Sequence, residues 1–138
     1  MLGKSAGILA FLLALTAAEN SLAEHEVYYR YTVLGYVQDG KGRPNPGVSV
    51  ELMREKTGFS YLAESDTSGL YVVVARLGDE SVGEKLRLRA GTHSVEITAR
   101  FDPTDHTRER GTRVDWVGGK PLERQAAFTA TLQRFLAD

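Results

Sequence analysis

The stretch Gly35–Val74, GYVQDGKGRPNPGVSVELMREKTGFSYLAESDTSGLYVVV, decides the fold. Within it Val48, Val50 and Leu52 alternate with Ser49, Glu51 and Met53, and Leu70, Val72 and Val74 alternate with Tyr71, Val73 and Ala75. Side chains of an extended chain point to opposite faces in turn, so a period of two marks a strand. Turn residues precede each run: Asp39-Gly40-Lys41-Gly42 with Pro44 and Pro46 before the first, and Asp66-Thr67-Ser68-Gly69 before the second. Glycine accepts positive φ, and proline fixes φ and cannot donate to a ladder, so both punctuate a sheet.

The same grammar extends in both directions. Residues 26–37, rich in Tyr, Val and Thr, read as a first strand, with Gly35 at a bulge or a close backbone approach. A turn at 56–58 leads to a run from Phe59 to Ala63. Leu86 and Leu88 stand two apart among arginines, and Val95, Ile97 and Ala99 share one parity after the turn Ala90-Gly91-Thr92. The pattern stops after Phe101 and resumes at 126–136, where Phe128 and Leu132 are expected to face inward from a strand, although the composition also suits a helix. Short strands with turn signals every 8 to 12 residues predict an all-β fold. The expected architecture is an antiparallel two-sheet, Ig-like sandwich of about seven strands, one domain spanning 24–138.

Composition bounds the function. A chain of 138 residues holds one ordinary core. A formal net charge of -1 lacks the basic footprint that binding to nucleic acid or an anionic membrane requires. The absence of cysteine excludes disulfides, thiolate metal sites and cysteine nucleophiles. Lys4, the apolar run Ala6–Ala18 and the small residues Ser21 and Ala23 have the order of a secretory leader. The run is shorter than the roughly 20 residues that a spanning helix needs. Residues 1–23 are therefore expected to be a cleaved signal peptide, leaving a periplasmic or secreted chain that starts at Glu24 and does not associate with the membrane; an uncleaved anchor is the alternative.

Four motifs, Val37-x-Asp39, Gly42-x-Pro44, Gly47-Val48-x-Val50-x-Leu52 and Thr67-x-Gly69-x-Tyr71, make residues 31–101 similar to carboxypeptidase regulatory-like domains. The resemblance implies a transthyretin-like (prealbumin-like) sandwich and an accessory, adhesive or partner-binding role, since such domains serve as modules on many proteins. A fold does not by itself supply a site. The hydroxyisourate hydrolases of the same broad fold end in Tyr-Arg-Gly-Ser. This chain ends Arg134-Phe135-Leu136-Ala137-Asp138, which argues against that activity.

Residues 102–125 read as one long connection, and such loops are usually functional or disordered. They carry Arg108, Arg110, Arg113, Asp115 and the sole tryptophan, Trp116. Tryptophan and arginine are enriched at protein–protein contacts, so these five are the candidate partner-binding residues; the alternative is that Trp116 caps one end of the sandwich. A second candidate site is a copper or zinc centre from His25 with its free amine, His106, Asp102 and Asp105, because both metals favour nitrogen ligands. His93 shares the parity of Val95 and Ile97 and is expected at the mouth of the core. No His-Glu-x-x-His motif and no G-x-S-x-G elbow occurs. Tyr28, Tyr29, Tyr31 and Tyr36 either stack on sugars or a partner peptide, or bury their rings with the hydroxyl at the rim. The expectation is a non-catalytic binding module with a protein partner and no cofactor; the alternative is a carrier of metal or carbohydrate.

Overall fold

The computed structural model describes residues 26–138; the expected leader and His25 lie outside the described residues. Eight strands follow in order: β1 (Arg30–Gln38), β2 (Ser49–Arg54), β3 (Ser60–Glu64), β4 (Leu70–Arg76), β5 (Lys85–Ala90), β6 (His93–Thr98), β7 (Gly111–Val117) and β8 (Lys120–Glu123). One α-helix, α1 (Phe128–Ala137), ends the chain. The strands form two four-stranded sheets, in the orders β4-β1-β7-β8 and β3-β2-β5-β6. The fold is an all-β two-sheet sandwich, with eight strands in place of seven.

Between the sheets lie the residues that the alternation places inward. Val50 and Leu52 of β2, Leu86 and Leu88 of β5, and Tyr71 and Val73 of β4 are all buried. The Tyr71 hydroxyl donates to the Val114 carbonyl at 2.5 Å, which satisfies its polar end inside the core. Burial raises the Tyr71 hydroxyl far above its ordinary pKa. Tyr31 is also wholly buried, and burial pushes its hydroxyl up to about 12.

Three expectations are corrected. The segment 102–125 is not one loop. Its first part is irregular, but β7 and β8 then form a hairpin through Gly118 and Gly119, both with positive φ. Thr112, Val114 and Trp116 of β7 point into the sandwich while Arg113 and Asp115 point out, so the charges that read as loop are one face of a strand. The sheets are also not wholly antiparallel, because β1 runs parallel to β7. Finally, 126–136 is no strand. Phe128, Leu132, Phe135 and Leu136 are spaced i, i+4, i+7 and i+8, the stripe of a helix.

That helix lies on the outer face of the first sheet. Phe128 and Leu132 pack on Leu34 and Val72 as a second, smaller core. Gly111 makes the seat possible: a Cβ there would stand 2.0 Å from the Thr32 carbonyl oxygen and 2.5 Å from the Phe128 ring. Gly35 is the close approach expected in β1, since a Cβ on it would meet the Val114 carbonyl oxygen at 1.8 Å.

Candidate functional site

The five residues of the expected partner-binding site separate in the structure. Trp116 is 1% exposed and belongs to the inter-sheet core near the end of β7, so its side chain is not at the surface. Arg113 and Asp115 sit on the outer face of β7 and pair with each other twice at 3.0 Å. Asp115 also accepts the Tyr36 N–H at 3.0 Å and meets Arg124 at 3.2 Å. Arg113 reaches Thr131 of α1 at 3.0 Å and lies over the Tyr36 ring. The Asp115 carboxylate, by hydrogen bonding, raises the Arg113 pKa above its ordinary value. These two residues fasten the helix to the sheet. Of the five, Arg108 alone is exposed.

Arg110 belongs to a second cluster, at the end of the sandwich where the chain enters β1. It is buried over the Phe101 ring and donates to Asp79 Oδ1 at 2.8 Å and to the Tyr28 carbonyl at 3.1 Å. His106 places Nε2 2.8 Å from Asp79 Oδ2, and its ring stacks on Tyr28. Hydrogen bonds from Arg110, then from His106, hold the Asp79 carboxyl below its ordinary pKa. Asp102 and Asp105 accept from Thr104 and Thr107 in their own turns. Of the candidate metal ligands among the described residues, Asp102 and Asp105 are thus engaged within their own turns and His106 with Asp79. Among the described residues no group of three or more His, Asp or Glu side chains is arranged to hold a metal ion. His93 is exposed, with its ring laid against Gly119 at the β7–β8 turn.

The surface that geometry singles out lies elsewhere. A groove of about 680 Å³ opens between α1, the outer face of β4 and the start of β3. Its size falls within the roughly 300–1,000 Å³ of ligand sites. Val72 and Val74 form part of its floor, Leu132, Phe135 and Leu136 of α1 one wall, and Phe59 and Tyr61 the other. Phe59 is 60% exposed, Leu136 67% and Val74 46%, an unusual concentration of bare apolar side chains around one concavity. Charge at its end is matched: Arg30 donates to Glu109 Oε2 at 3.1 Å and pairs with its other oxygen, and Glu26 lies in its field. Arg76 is also engaged.

Sequence reasoning passed over this groove, though two signals for it were present. The run from Leu70 to Ala75 has no polar face, unlike β5, where Arg87 and Arg89 alternate with leucines. The helical stripe also carries two more apolar residues, Phe135 and Leu136, than the sheet beneath it buries.

No family model matches the chain, and no curated protein matches it either. Among solved structures, the dioxygenase domain of a dioxygenase carbohydrate-binding protein fusion from the cellulolytic bacterium Streptomyces sp. SirexAA-E is similar, with a TM-score of 0.38 and 14% identity over 69% of this chain and 75% of that one. The 3-chlorocatechol 1,2-dioxygenase from Rhodococcus opacus 1CP is similar with a TM-score of 0.39 and 12% identity over 71% of this chain and 58% of that one.

Proposed function

We propose that the chain is an exported, non-catalytic binding module whose protein partner engages the groove between α1, β4 and β3, rather than the segment 102–125. The observation that carries this reading is the ring of exposed apolar side chains, Phe59, Val74, Phe135 and Leu136, around one concave surface. Exposed apolar surface gathered in one place, rather than scattered, is the mark of an interaction site. The rigid double layer beneath it supports a preformed site, since α1 is fastened through Arg113 and Thr131 and seated on Gly111.

The test compares two surfaces of one protein. Leu136→Asp and Phe59→Ser alter side chains whose loss leaves the core intact, whereas Arg108→Ala alters the exposed arginine of the 102–110 turn. Crosslinked partner recovered from an exported-fraction extract by the unaltered protein should be lost in the first two variants and retained in the third, with all three melting within a few degrees of the parent. Retention in the groove variants with loss in Arg108→Ala would return the binding surface to the 102–110 turn.

A further inference from the structure

The groove runs across the free edge of a strand. Thr32 N–H donates to the Arg110 carbonyl at 2.9 Å, and Tyr36 N–H donates to Asp115 Oδ1 at 3.0 Å, both on the β7 side of β1. The N–H and C=O of one strand residue point to the same side, and the side alternates along the strand. The even residues of β1 therefore face β7 and the odd ones face β4. In the antiparallel register Tyr31↔Ala75, Val33↔Val73 and Gly35↔Tyr71, the odd residues of β4 are the ones bonded to β1. The even residues of β4 direct their main-chain groups outward. At the strand's start that position is filled locally, since Leu70 N–H donates to Asp66 Oδ1 at 3.0 Å and its carbonyl accepts the Asp66 N–H at 2.8 Å. Val72 and Val74 follow, and no strand of the described residues pairs on their side.

This edge lacks the usual protection. The opposite edge of the same sheet, β8, carries Lys120 and Pro121, a charge and a residue without an N–H, which discourage pairing. β4 reads LYVVVAR and holds neither within its length before Arg76. The groove also fits what would lie along that edge. Alternate side chains of an added strand meet Phe135 and Leu136 on one side and Phe59 and Tyr61 on the other.

We propose that the groove takes an extended, uncharged, apolar segment of a partner polypeptide, added as a fifth strand to the open edge of β4. This deepens the binding-module reading and rests on it. Hydrogen-bond complementarity calls for a polypeptide backbone, because the donors and acceptors of Val72 and Val74 recur at the spacing of a strand. Charge complementarity calls for a neutral one, because Arg30 is already matched by Glu109. A second copy of the chain is disfavoured because pairing β4 with its own counterpart would bring a second α1 and a second Phe59 against the walls already formed by Phe135, Leu136 and Phe59.

The probe is a short valine-rich peptide, acetylated at its N-terminus and amidated at its C-terminus so that it carries no charge, added to the protein expressed from the full chain. Amide hydrogen exchange should show Val73 protected throughout, and Val72 and Val74 exchanging freely alone but protected with the probe. N-methylation of the probe on the side facing β4 should weaken binding about tenfold per hydrogen bond lost, and methylation on the other side should leave it unchanged. Val74→Pro should weaken binding likewise, because it deletes an N–H that β1 does not use. The methylated probes give the same answer on the unaltered protein if that variant unfolds. Equal tolerance of both methylation patterns, or absence of new protection at Val72 and Val74, overturns the strand-addition proposal. So does concentration-dependent protection of these amides without probe, which would make a second copy the occupant. Loss of partner capture in Leu136→Asp alongside such a result leaves the binding-module reading standing. Probe pairing on β4 with capture indifferent to the groove variants refutes that reading instead.

Discussion

The two sheets of this sandwich share a core but wear opposite outer faces. On the second sheet, Arg87 and Arg89 of β5 point outward and meet acidic residues: Arg87 pairs with Glu55, just past β2, at 3.0 Å, and Arg89 with Glu51 of β2 at 2.5 Å. Lys85 donates to Thr98 at 3.0 Å. That face is charged, with a single bare apolar side chain among the described residues, Leu62 opposite Glu51, amid its ion pairs. On the first sheet, Leu34, Val72 and Val74 point outward, and α1 covers Leu34 fully and Val72 in part, leaving Val74 and its own Phe135 and Leu136 bare. Both faces obey the same alternation, so what distinguishes them is the chemistry of the outward parity. An apolar outward parity needs a cover, and where the cover stops short an open apolar groove remains.

Perturbations of the helix-covered face should outweigh those of the charged face. Gly111→Val forces a side chain against the Thr32 carbonyl and the Phe128 ring, and should cost about 3 kcal/mol or more in urea unfolding, with loss of the helical signal. A cost below about 1 kcal/mol would show that α1 is not seated there. Phe128→Ala removes the anchor of the smaller core and should cost about 3 kcal/mol. Asp115→Asn leaves the half-buried Arg113 without its carboxylate, for about 2 kcal/mol; a neutral result would mean that the pair does not hold the helix.

The acid response reports on the two central strands of the second sheet, β2 and β5. Hydrogen bonds from Arg54 hold the Glu84 carboxyl below its ordinary value, and Arg89 does the same for Glu51. A carboxylate whose folded pKa is depressed is protonated more readily in the unfolded chain. Its contribution is complete above the ordinary glutamate value and fades as pH falls through the lower, folded one. Melting temperature should therefore drop below about pH 4.5, and Glu84→Gln should drop less between pH 7 and that range than the parent. An identical drop would remove the Arg54–Glu84 pair from the acid response. The smallest effect belongs to Arg89→Ala on the open charged face, under about 1 kcal/mol and shrinking with added salt.

How much of this was legible in the sequence follows the range of the interactions involved. The runs at 48–52 and 70–74 announced strands because their period is local. The hairpin turn Gly118-Gly119 was a local signal too, but the charges of Arg113 and Asp115 masked the strand before it, and Trp116 then read as a contact residue when it is core. Phe128 and Leu132, four apart, fit both a strand parity and a helical stripe, and the arbiters were Phe135 and Leu136, three and four residues further on. The parallel pairing of β1 with β7 has no local signature, since it joins residues separated by about 79 positions. The groove depends on that pairing: it sets β4 at an edge, and only an edge strand with an apolar outer face can leave an open slot.

The central claim is that the outer face of the first sheet binds and that of the second does not. A photoreactive side chain placed in turn at Leu136, at Glu96 of β6 and at Arg108 tests it in a single experiment, all three positions being exposed. The account predicts a crosslinked partner from Leu136 and none from Glu96 or Arg108. Adducts from Glu96 or Arg108, with none from Leu136, would contradict it.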